Sequence, residues 1–360
     1  MISDYINKMK ILHCVSSLQV GGAEKLVKNL SVAQQEFGQN VAILSFGKTT
    51  DEFQQVLSQS KVKVHNIAGN ILKRQIQIIK LINHFDVIHI HSPAVIRAFL
   101  LVSPFLLLKK VIYTIHGEVS PNLQGIKVSH RVARCYVNYT FAVSDKTRLK
   151  AGGLFSWPKD KIKVIKNGVS LPLRSINKAD KPKLTLGTVS RLIPLKKIED
   201  LVKCIGEFNL HDQVDLKIFG DGPEREKLET LVNHLNLNNS IQFMNNVIDE
   251  DQIYPLIDCL IICSETEGLP MVLLEGMAYG IPCISTRVGA IPDIITASDC
   301  GFLFDTSNLA QLAEHIKVMS ENKSVLEAKG LNGKKYITKH FAIESIANIY
   351  QEYYGNLNAQ

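Results

Sequence analysis

KILHCVSSLQVGGAEKLVKNLSVAQQEFGQNVAILSF, Lys10 to Phe46, decides the fold. It opens on an apolar run, Lys10–Ser16, and breaks at the adjacent Gly21 and Gly22. Beyond the break, Ala23, Leu26, Val27, Leu30, Ala33 and Phe37 recur at three- and four-residue spacing, which is one face of a helix. A second apolar run, Val41–Phe46, closes the stretch. Strands that are apolar throughout belong to parallel sheets covered on both faces. The stretch therefore reads as strand, helix, strand.

Working outward, further strands are expected at Lys63–Ile67, Asp86–His91, Val111–His116, Tyr139–Val143 and Ile162–Lys166. LPLRSINKADKPK, Leu171–Lys183, has two prolines, little apolar content and no period, and reads as a linker. The alternation then resumes, with strands expected at Leu184–Val189, Asp215–Phe219, Ile241–Met244, Cys259–Cys263, Pro282–Ser285 and Gly301–Phe304. Alternation of this kind argues for α/β architecture. The expected organisation is two Rossmann-like, doubly wound domains facing across a cleft: 1–170, a linker at 171–183, and 184–340. A C-terminal helical segment, 341–360, would pack on either domain. In such sheets ligands bind beyond the carboxyl ends of the strands.

Composition narrows the class. Of 360 residues, 46% are hydrophobic and 21% charged, which is globular rather than disordered or fibrous. Seven scattered cysteines without a CxxC fit a reducing compartment. The polar start, MISDYINKMK, does not resemble a secretory leader. The longest apolar stretch, Ala98–Leu108, contains Pro104 and is too short to span a membrane; it reads as a buried helix, at most one dipping into a surface. The net charge of +7 is uneven: residues 1–175 hold 24 Lys/Arg against 9 Asp/Glu, whereas 176–360 hold 17 against 25. A basic half suits an anionic partner such as a membrane surface, although a solvated basic face without a partner has the same composition. Nucleic acid would leave the acidic half unexplained.

Four motifs sit at expected strand ends. Val20-Gly21-Gly22-Ala23-Glu24 lets a backbone approach an anion at a helix start, or is simply a turn. Arg191 and Lys196, in SRLIPLKK at 190–197, can neutralise a diphosphate, or are surface cations. Phe219-Gly220-Asp221-Gly222-Pro223 lacks the third glycine of a dinucleotide fingerprint, since Arg225 stands there, and reads as a tight turn suited to lie beside phosphates. The most telling is SETEGLPMVLLEGMA at 264–278. There Glu267 lies in a loop, and Glu275 sits in the following helix about two turns deeper. Main-chain N–H groups of Gly268, Leu269, Met271 and Val272, around Pro270, are placed for phosphate. Acids at a helix start also complement its dipole without catalysing anything.

Three decoys fall away. Gly47-Lys48-Thr49 lacks the glycine of a P-loop at Ala42. His89 and His91 alternate on one strand face without a third ligand at motif spacing, and read as core or cleft-lining histidines. Asp249-Glu250-Asp251 reads as the cap of a helix running to Leu256, not as a metal-holding DxD.

Taken in order, VGGAE (20–24), YTIHG (113–117), AVS (142–144), NGV (167–169), SRLIPLKK, FGDGPEREKLE (219–229) and the paired acids followed by AYGIPCISTRVGAIPDII resemble the retaining family 4 glycosyltransferases, group 1, of GT-B fold. The resemblance covers nearly the whole chain. It implies transfer of a sugar from a nucleoside diphosphate sugar, UDP foremost, to an acceptor hydroxyl in cell-surface polysaccharide or lipid-linked glycan synthesis. It implies that Arg191 and Lys196 hold the diphosphate, Glu267 the donor sugar's hydroxyls, and Glu275 the ribose. Gly21 and Gly22 would approach the phosphates, His116 would line the sugar site, and Asn245 to Val247 would lie near the base. No metal or other cofactor is expected, because the two cations take its role. One departure is Lys197, where the family usually has glycine. The linker would serve as the hinge of a domain closure that excludes water.

The acceptor is expected on the basic half, with Lys73, Arg74, Arg97, Lys109, Lys110, Lys127, Arg131 and Arg134 as contacts to an anionic lipid-linked molecule. The expected location is cytoplasmic, peripheral on the membrane face. A sugar-nucleotide epimerase of the same fold and a non-catalytic sugar-nucleotide-binding protein are the competing readings.

Overall fold

A computed structural model describes residues 9–116, 126–155, 157–158, 161–172 and 181–356. Residues 173–180 of the expected linker and Gly117 of YTIHG lie outside the described residues. The chain forms two compact units, Met1–Gly168 with Ile343–Gln360, and Val169–Ala342.

Unit 1 contains β1 (Lys10–Val15), β2 (Asn40–Ser45), β3 (Lys63–Asn66), β4 (Val87–Ile90), β5 (Lys110–Ile115), β6 (Tyr139–Ala142) and β7 (Ile162–Val164). Its helices are α1 (Gly22–Glu36), α2 (Glu52–Leu57), α3 (Ile71–Asn83), α4 (Pro93–Ala98), α5 (Ser103–Leu106), α6 (Ile126–Ala133), α7 (Asp145–Phe155) and, at the far end of the chain, the last helix, Ile343–Asn356. The strands form one parallel sheet, ordered β3-β2-β1-β4-β5-β6-β7.

Strand residues alternate between two apolar layers, as the period of two requires. Leu12, Cys14, Ile88, Ile90, Val111 and Tyr113 face one layer. Ile11, Val87, Ile112 and Phe141 face the other, beneath Leu26, Leu30 and Ala33 of α1 and Ile346, Ala347, Tyr350 and Tyr354 of the last helix. The parity of Ile11, Val87 and Ile112 is also that of His13, His89, His91, Thr114 and His116. A polar group is thereby threaded into an otherwise apolar layer.

Unit 2 contains β8 (Leu184–Val189), α8 (Ile198–Glu207), β9 (Val214–Phe219), α9 (Arg225–His234), β10 (Ile241–Phe243), β11 (Cys259–Ile262), α10 (Met271–Ala278), β12 (Cys283–Thr286), α11 (Ile291–Ser298), β13 (Gly301–Phe304), α12 (Leu309–Glu321) and α13 (Lys323–His340). The last helix of the chain is α14. The unit 2 sheet is parallel, ordered β10-β9-β8-β11-β12-β13. Each sheet therefore reverses strand order once, between β1 and β4 in unit 1 and between β8 and β11 in unit 2.

Two expectations are corrected. Ala98–Leu108 is not a buried helix: α4 ends at Ala98, a 3-10 turn spans Leu100–Val102, and α5 ends at Leu106. Pro104 lacks an N–H and its ring obstructs the preceding turn, so no continuous helix forms. Phe99, Val102 and Leu106 turn inward, while Leu101, Phe105, Leu107 and Leu108 are exposed, Leu108 by 92%. Asp249 does cap, but a 3-10 turn rather than a helix running to Leu256: its carboxylate accepts from Asp251 N at the first of two such turns, Glu250–Gln252 and Tyr254–Leu256. Among the described residues no helix is long and apolar enough to cross a membrane. All seven cysteines are free.

Candidate functional site

In unit 2 the loops at the carboxyl ends of the strands are tied to one another. After β8, Leu192 N donates to Asp221 O at 2.9 Å, and Glu224 N returns to Leu192 O at 3.0 Å. Gly220 N donates to Asn245 O at 2.7 Å, linking the loops after β9 and β10. Glu265 N donates to Leu195 O at 2.8 Å and Ala290 N to Gly268 O at 2.9 Å, joining the loops after β8, β11 and β12. Gly220 has φ 130°, and a Cβ there would lie 1.8 Å from Ser190 O; the turn requires glycine. Gly289, which sequence reasoning did not single out, underlies the Glu267 loop: a Cβ there would lie 2.2 Å from Glu267 O.

At the strand-order reversal between β8 and β11, Lys196 Nζ donates to Glu267 Oε1 at 2.6 Å. Ser264 Oγ donates to the same oxygen at 2.6 Å. The pair is largely buried, with side chains 22% and 12% exposed. Arg191, on the same loop as Lys196, is exposed, and its side chain has no hydrogen bond or ion pair among the described residues. Immediately beyond Glu267, α10 begins after Pro270 with no side-chain cap; Leu273 N turns back to Pro270 O at 3.2 Å, and the N–H groups of Met271 and Val272 are left without an intrahelical partner.

Glu275 lies one turn into α10, not two, because the helix starts at Met271 rather than near Glu267. It is 4% exposed, and Tyr254 OH donates to its Oε2 at 2.7 Å. Burial pushes the Tyr254 phenol well above its ordinary pKa, so it is a donor at any working pH. Tyr254 was invisible to motif reasoning, sitting 21 residues upstream in a 3-10 turn. Asn245, in a left-handed backbone (φ 60°), accepts from Arg225 Nη1 at 2.7 Å through Oδ1, and Val247 is half-buried in the same loop. The arrangement in unit 2 therefore combines two cations, an uncapped helix start and two acids.

In unit 1, Gly21 is the N-cap residue of α1, again without a side-chain cap, and a Cβ there would lie 2.4 Å from Glu24 Oε2. Burial, with a smaller contribution from Asp51, raises the Glu24 pKa. At the β1–β4 reversal, His13 Nδ1 lies 2.9 Å from His91 Nε2, and His91 Nδ1 lies 2.9 Å from His116 Nε2. His13 Nε2 meets Gln34 Oε1 at 2.8 Å. His89 meets Tyr354 OH at 2.7 Å and Thr114 Oγ1 at 2.8 Å. Ligand atoms of His13, His89 and His91 lie within 4.8 Å of one another, close enough for a metal ion. Each of these ring nitrogens already has a hydrogen-bond partner, so the donor set reads as a hydrogen-bonded network. Burial lowers the His13 pKa to about 4 and that of His116 to about 3, with His89 and His91 also well below the ordinary value. The four rings are neutral at pH 7.

Of the expected acceptor contacts, Lys73, Arg97, Lys127, Arg131 and Arg134 are exposed and Arg74 is half-buried. Lys109 Nζ instead donates to Asn83 O and Phe85 O, at 3.3 and 2.9 Å, closing the end of α3. Lys110 Nζ reaches Tyr354 O at 3.4 Å.

Two α/β units, each with a parallel sheet whose strand order reverses once, are the architecture of the GT-B glycosyltransferase fold. Residues 20–172 match the family model described as Glycosyltransferase Family 4, and residues 172–336 match Glycosyl transferases group 1. The chain belongs to that family. It is 27% identical over 166 residues to N-acetyl-alpha-D-glucosaminyl L-malate synthase of Bacillus anthracis, a match covering 46% of this chain and 44% of that protein. The chain thus spans less than half the length of that relative. It is 24% identical to an Escherichia coli UDP-Gal:alpha-D-GlcNAc-diphosphoundecaprenol alpha-1,3-galactosyltransferase, over 94% of both chains. Its fold matches HepE of Anabaena, solved in complex with UDP, with TM-score 0.79 and 19% identity, covering 97% of this chain and 100% of that one.

Proposed function

We propose that the protein is a retaining glycosyltransferase that moves a sugar from a UDP-sugar to a hydroxyl of a lipid-linked glycan acceptor. The observation that carries this is the Lys196–Glu267 pair at the β8–β11 reversal, beside the start of α10, which has no side-chain cap, and the exposed guanidinium of Arg191. In the reaction the anomeric C–O bond to the diphosphate breaks and a bond to the acceptor oxygen forms on the same face. Negative charge grows on the leaving oxygen. Arg191, Lys196 and the α10 N–H groups stabilise it there, where fixed donors act most strongly. The leaving diphosphate takes the acceptor's proton. Glu267 Oε1 already receives two hydrogen bonds, which suits it to orient sugar hydroxyls rather than to attack carbon. Glu275, steadied by Tyr254, holds the ribose. No step requires a metal ion.

The acceptor assignment draws support from the Escherichia coli relative, whose name specifies a diphosphoundecaprenol-linked acceptor. Unit 1 adds a surface suited to an anionic membrane. Ile71 and Leu72 at the start of α3 and Leu101, Phe105, Leu107 and Leu108 beyond α4 are exposed, as are Lys73 on α3, Arg97 on α4, and Lys127 and Arg131 on α6, which packs against α4. Each basic residue near an anionic surface contributes about 1 kcal/mol. The protein would work at the cytoplasmic face of such a membrane.

Titration with UDP, then assays pairing UDP-glucose, UDP-galactose and UDP-N-acetylglucosamine with a diphospholipid-linked sugar, test the reaction. Transfer in at least one pairing is expected; sugar isomerisation without an acceptor would favour the epimerase reading instead. Flotation with phosphatidylglycerol vesicles tests the surface. Binding should weaken in high salt and in the double variant Leu107→Asp/Leu108→Asp, and equal binding to neutral vesicles would refute the electrostatic part.

A further inference from the structure

We propose that Gln34, His13 and His91 are positioning residues that fix His116 in a single tautomer, presenting its Nδ1 lone pair as an acceptor to a substrate hydroxyl. The assignment deepens the transferase reading and rests on it for the identity of the substrate.

The argument is a proton count. A neutral imidazole has one N–H and one lone pair, so each 2.9 Å contact between rings holds one proton. Gln34 settles which side carries it. Its Nε2 donates to Tyr354 OH at 3.3 Å, which leaves Oε1 as the acceptor for His13 Nε2–H at 2.8 Å. His13 Nδ1 is then a lone pair, so His91 Nε2 is the donor. His91 Nδ1 is in turn a lone pair, so His116 Nε2 donates to it. What is left at the end of the chain is the Nδ1 lone pair of His116.

That atom is shielded from solvent and has no hydrogen-bond partner among the described residues. A reversed chain, with the Gln34 amide turned over, would instead leave a buried N–H unpaired there. Orphaned donors are rarer and costlier than underused acceptors. His116 directly follows β5, at the carboxyl edge where ligands of such sheets bind.

The neighbouring branch meets the chain only at Gln34, through Tyr354 OH, and touches neither ring contact of the chain. His89 is held between Tyr354 and Thr114, and its ring packs 4.0 Å from that of His91, centroid to centroid. The far end of the chain is closed, because an amide oxygen cannot accept a transferable proton. The network therefore fixes a tautomer; it does not conduct protons away.

The test is long-range ¹H–¹⁵N spectroscopy of ¹⁵N-histidine protein, with His116 assigned by its loss in His116→Asn. The expected result is a protonated Nε2 and a bare Nδ1 whose signal moves on adding UDP-glucose but not UDP. Gln34→Met should produce a tautomer mixture at His116 and lower kcat/KM about tenfold, with UDP affinity unchanged. Thr114→Val, which disturbs only the His89 branch, should leave the His116 tautomer as it was. A proton on Nδ1 in the wild-type protein, an unmoved tautomer in Gln34→Met, or stoichiometric zinc in the purified protein would each overturn the proposal. A shifted tautomer with unchanged kcat/KM would refute the substrate contact. If no UDP-sugar is consumed by the wild-type chain, the functional reading has failed, while the tautomer measurement still decides the chain of histidines on its own.

Discussion

The two switch points of this protein solve opposite electrostatic problems. In unit 2 the β8–β11 reversal carries formal charge: Lys196 against Glu267, with Arg191 on the same loop. In unit 1 the β1–β4 reversal carries four titratable rings and no charge, because burial holds His13, His89, His91 and His116 neutral. The same βαβ geometry thus gathers formal charge in one unit and an uncharged hydrogen-bonded network in the other. The difference comes from which residue types the strand parity delivers to the carboxyl edge.

The largest expected effect tests the charged switch point. Glu267→Gln removes the negative partner proposed for the sugar hydroxyls while keeping its shape. Losing a charge-assisted hydrogen bond of about 3 kcal/mol lowers turnover about a hundredfold. UDP affinity should stay within about threefold, because the diphosphate is assigned to Arg191, Lys196 and α10. Lys196→Ala should differ: it weakens UDP binding about tenfold and lowers turnover as well, since one cation of the pair is lost. Steady-state kinetics and calorimetric UDP titration separate the two outcomes. If both variants turned over normally, the charged switch point would not be the site.

The neutral switch point is tested by acid. A histidine held neutral in the fold but free in the unfolded chain binds its proton more strongly when unfolded. Its contribution is therefore fully present above about pH 6.5 and is lost as the pH falls towards the folded pKa, about 4 for His13. Each ring contributes a slope of up to about 1.4 kcal/mol per pH unit across that window. Urea unfolding at pH 7.5, 6.0 and 5.0 should show stability falling, with hydrogen exchange quickening first in β1, β4 and β5. Equal acid sensitivity in β8 and β11 would erase the contrast between the units.

The contrast also explains what could be read from sequence. The thirteen strands of the described residues each overlap an expected one, most of them because strands covered on both faces are continuous Val/Ile/Leu runs, although the edge strand β3, KVHN, is not. The charged cluster was legible too: Arg191 and Lys196 lie beyond β8, Glu267 lies beyond β11, and Glu275 lies in the helix that follows. The histidine chain was only half legible. His89 and His91 share a face by alternation, but His13 lies 76 residues earlier than His89, and only the β1–β4 pairing aligns them. A histidine in the first strand, matched to the alternating pair, was the available signal. Tyr254 and Gly289 were missed because their roles are contacts made across loops. Ala98–Leu108 was misread because an apolar run shows no amphipathic face, and only packing decides which half turns outward.

The smallest expected effect concerns Lys197 in unit 2, where the resemblance to family 4 leads to an expected glycine. Lys197 adopts a left-handed backbone, φ 51° and ψ 35°. The other described non-glycine residues with positive φ are Asn209, Asn236, Asn245, Asp299 and Ser307, all with short polar side chains. A long side chain in that conformation costs about 1 kcal/mol or more, which glycine does not incur. Lys197→Gly should therefore stabilise unit 2 by about 1 kcal/mol, raising its melting temperature by about 2–4 °C. The backbone between Lys196 and α8 would keep its course, so UDP affinity should not change if strain alone is at stake. A drop in UDP affinity would give Lys197 a different meaning. Its ammonium would then be a third cation on the diphosphate, and the strained backbone would be retained for the charge it places there.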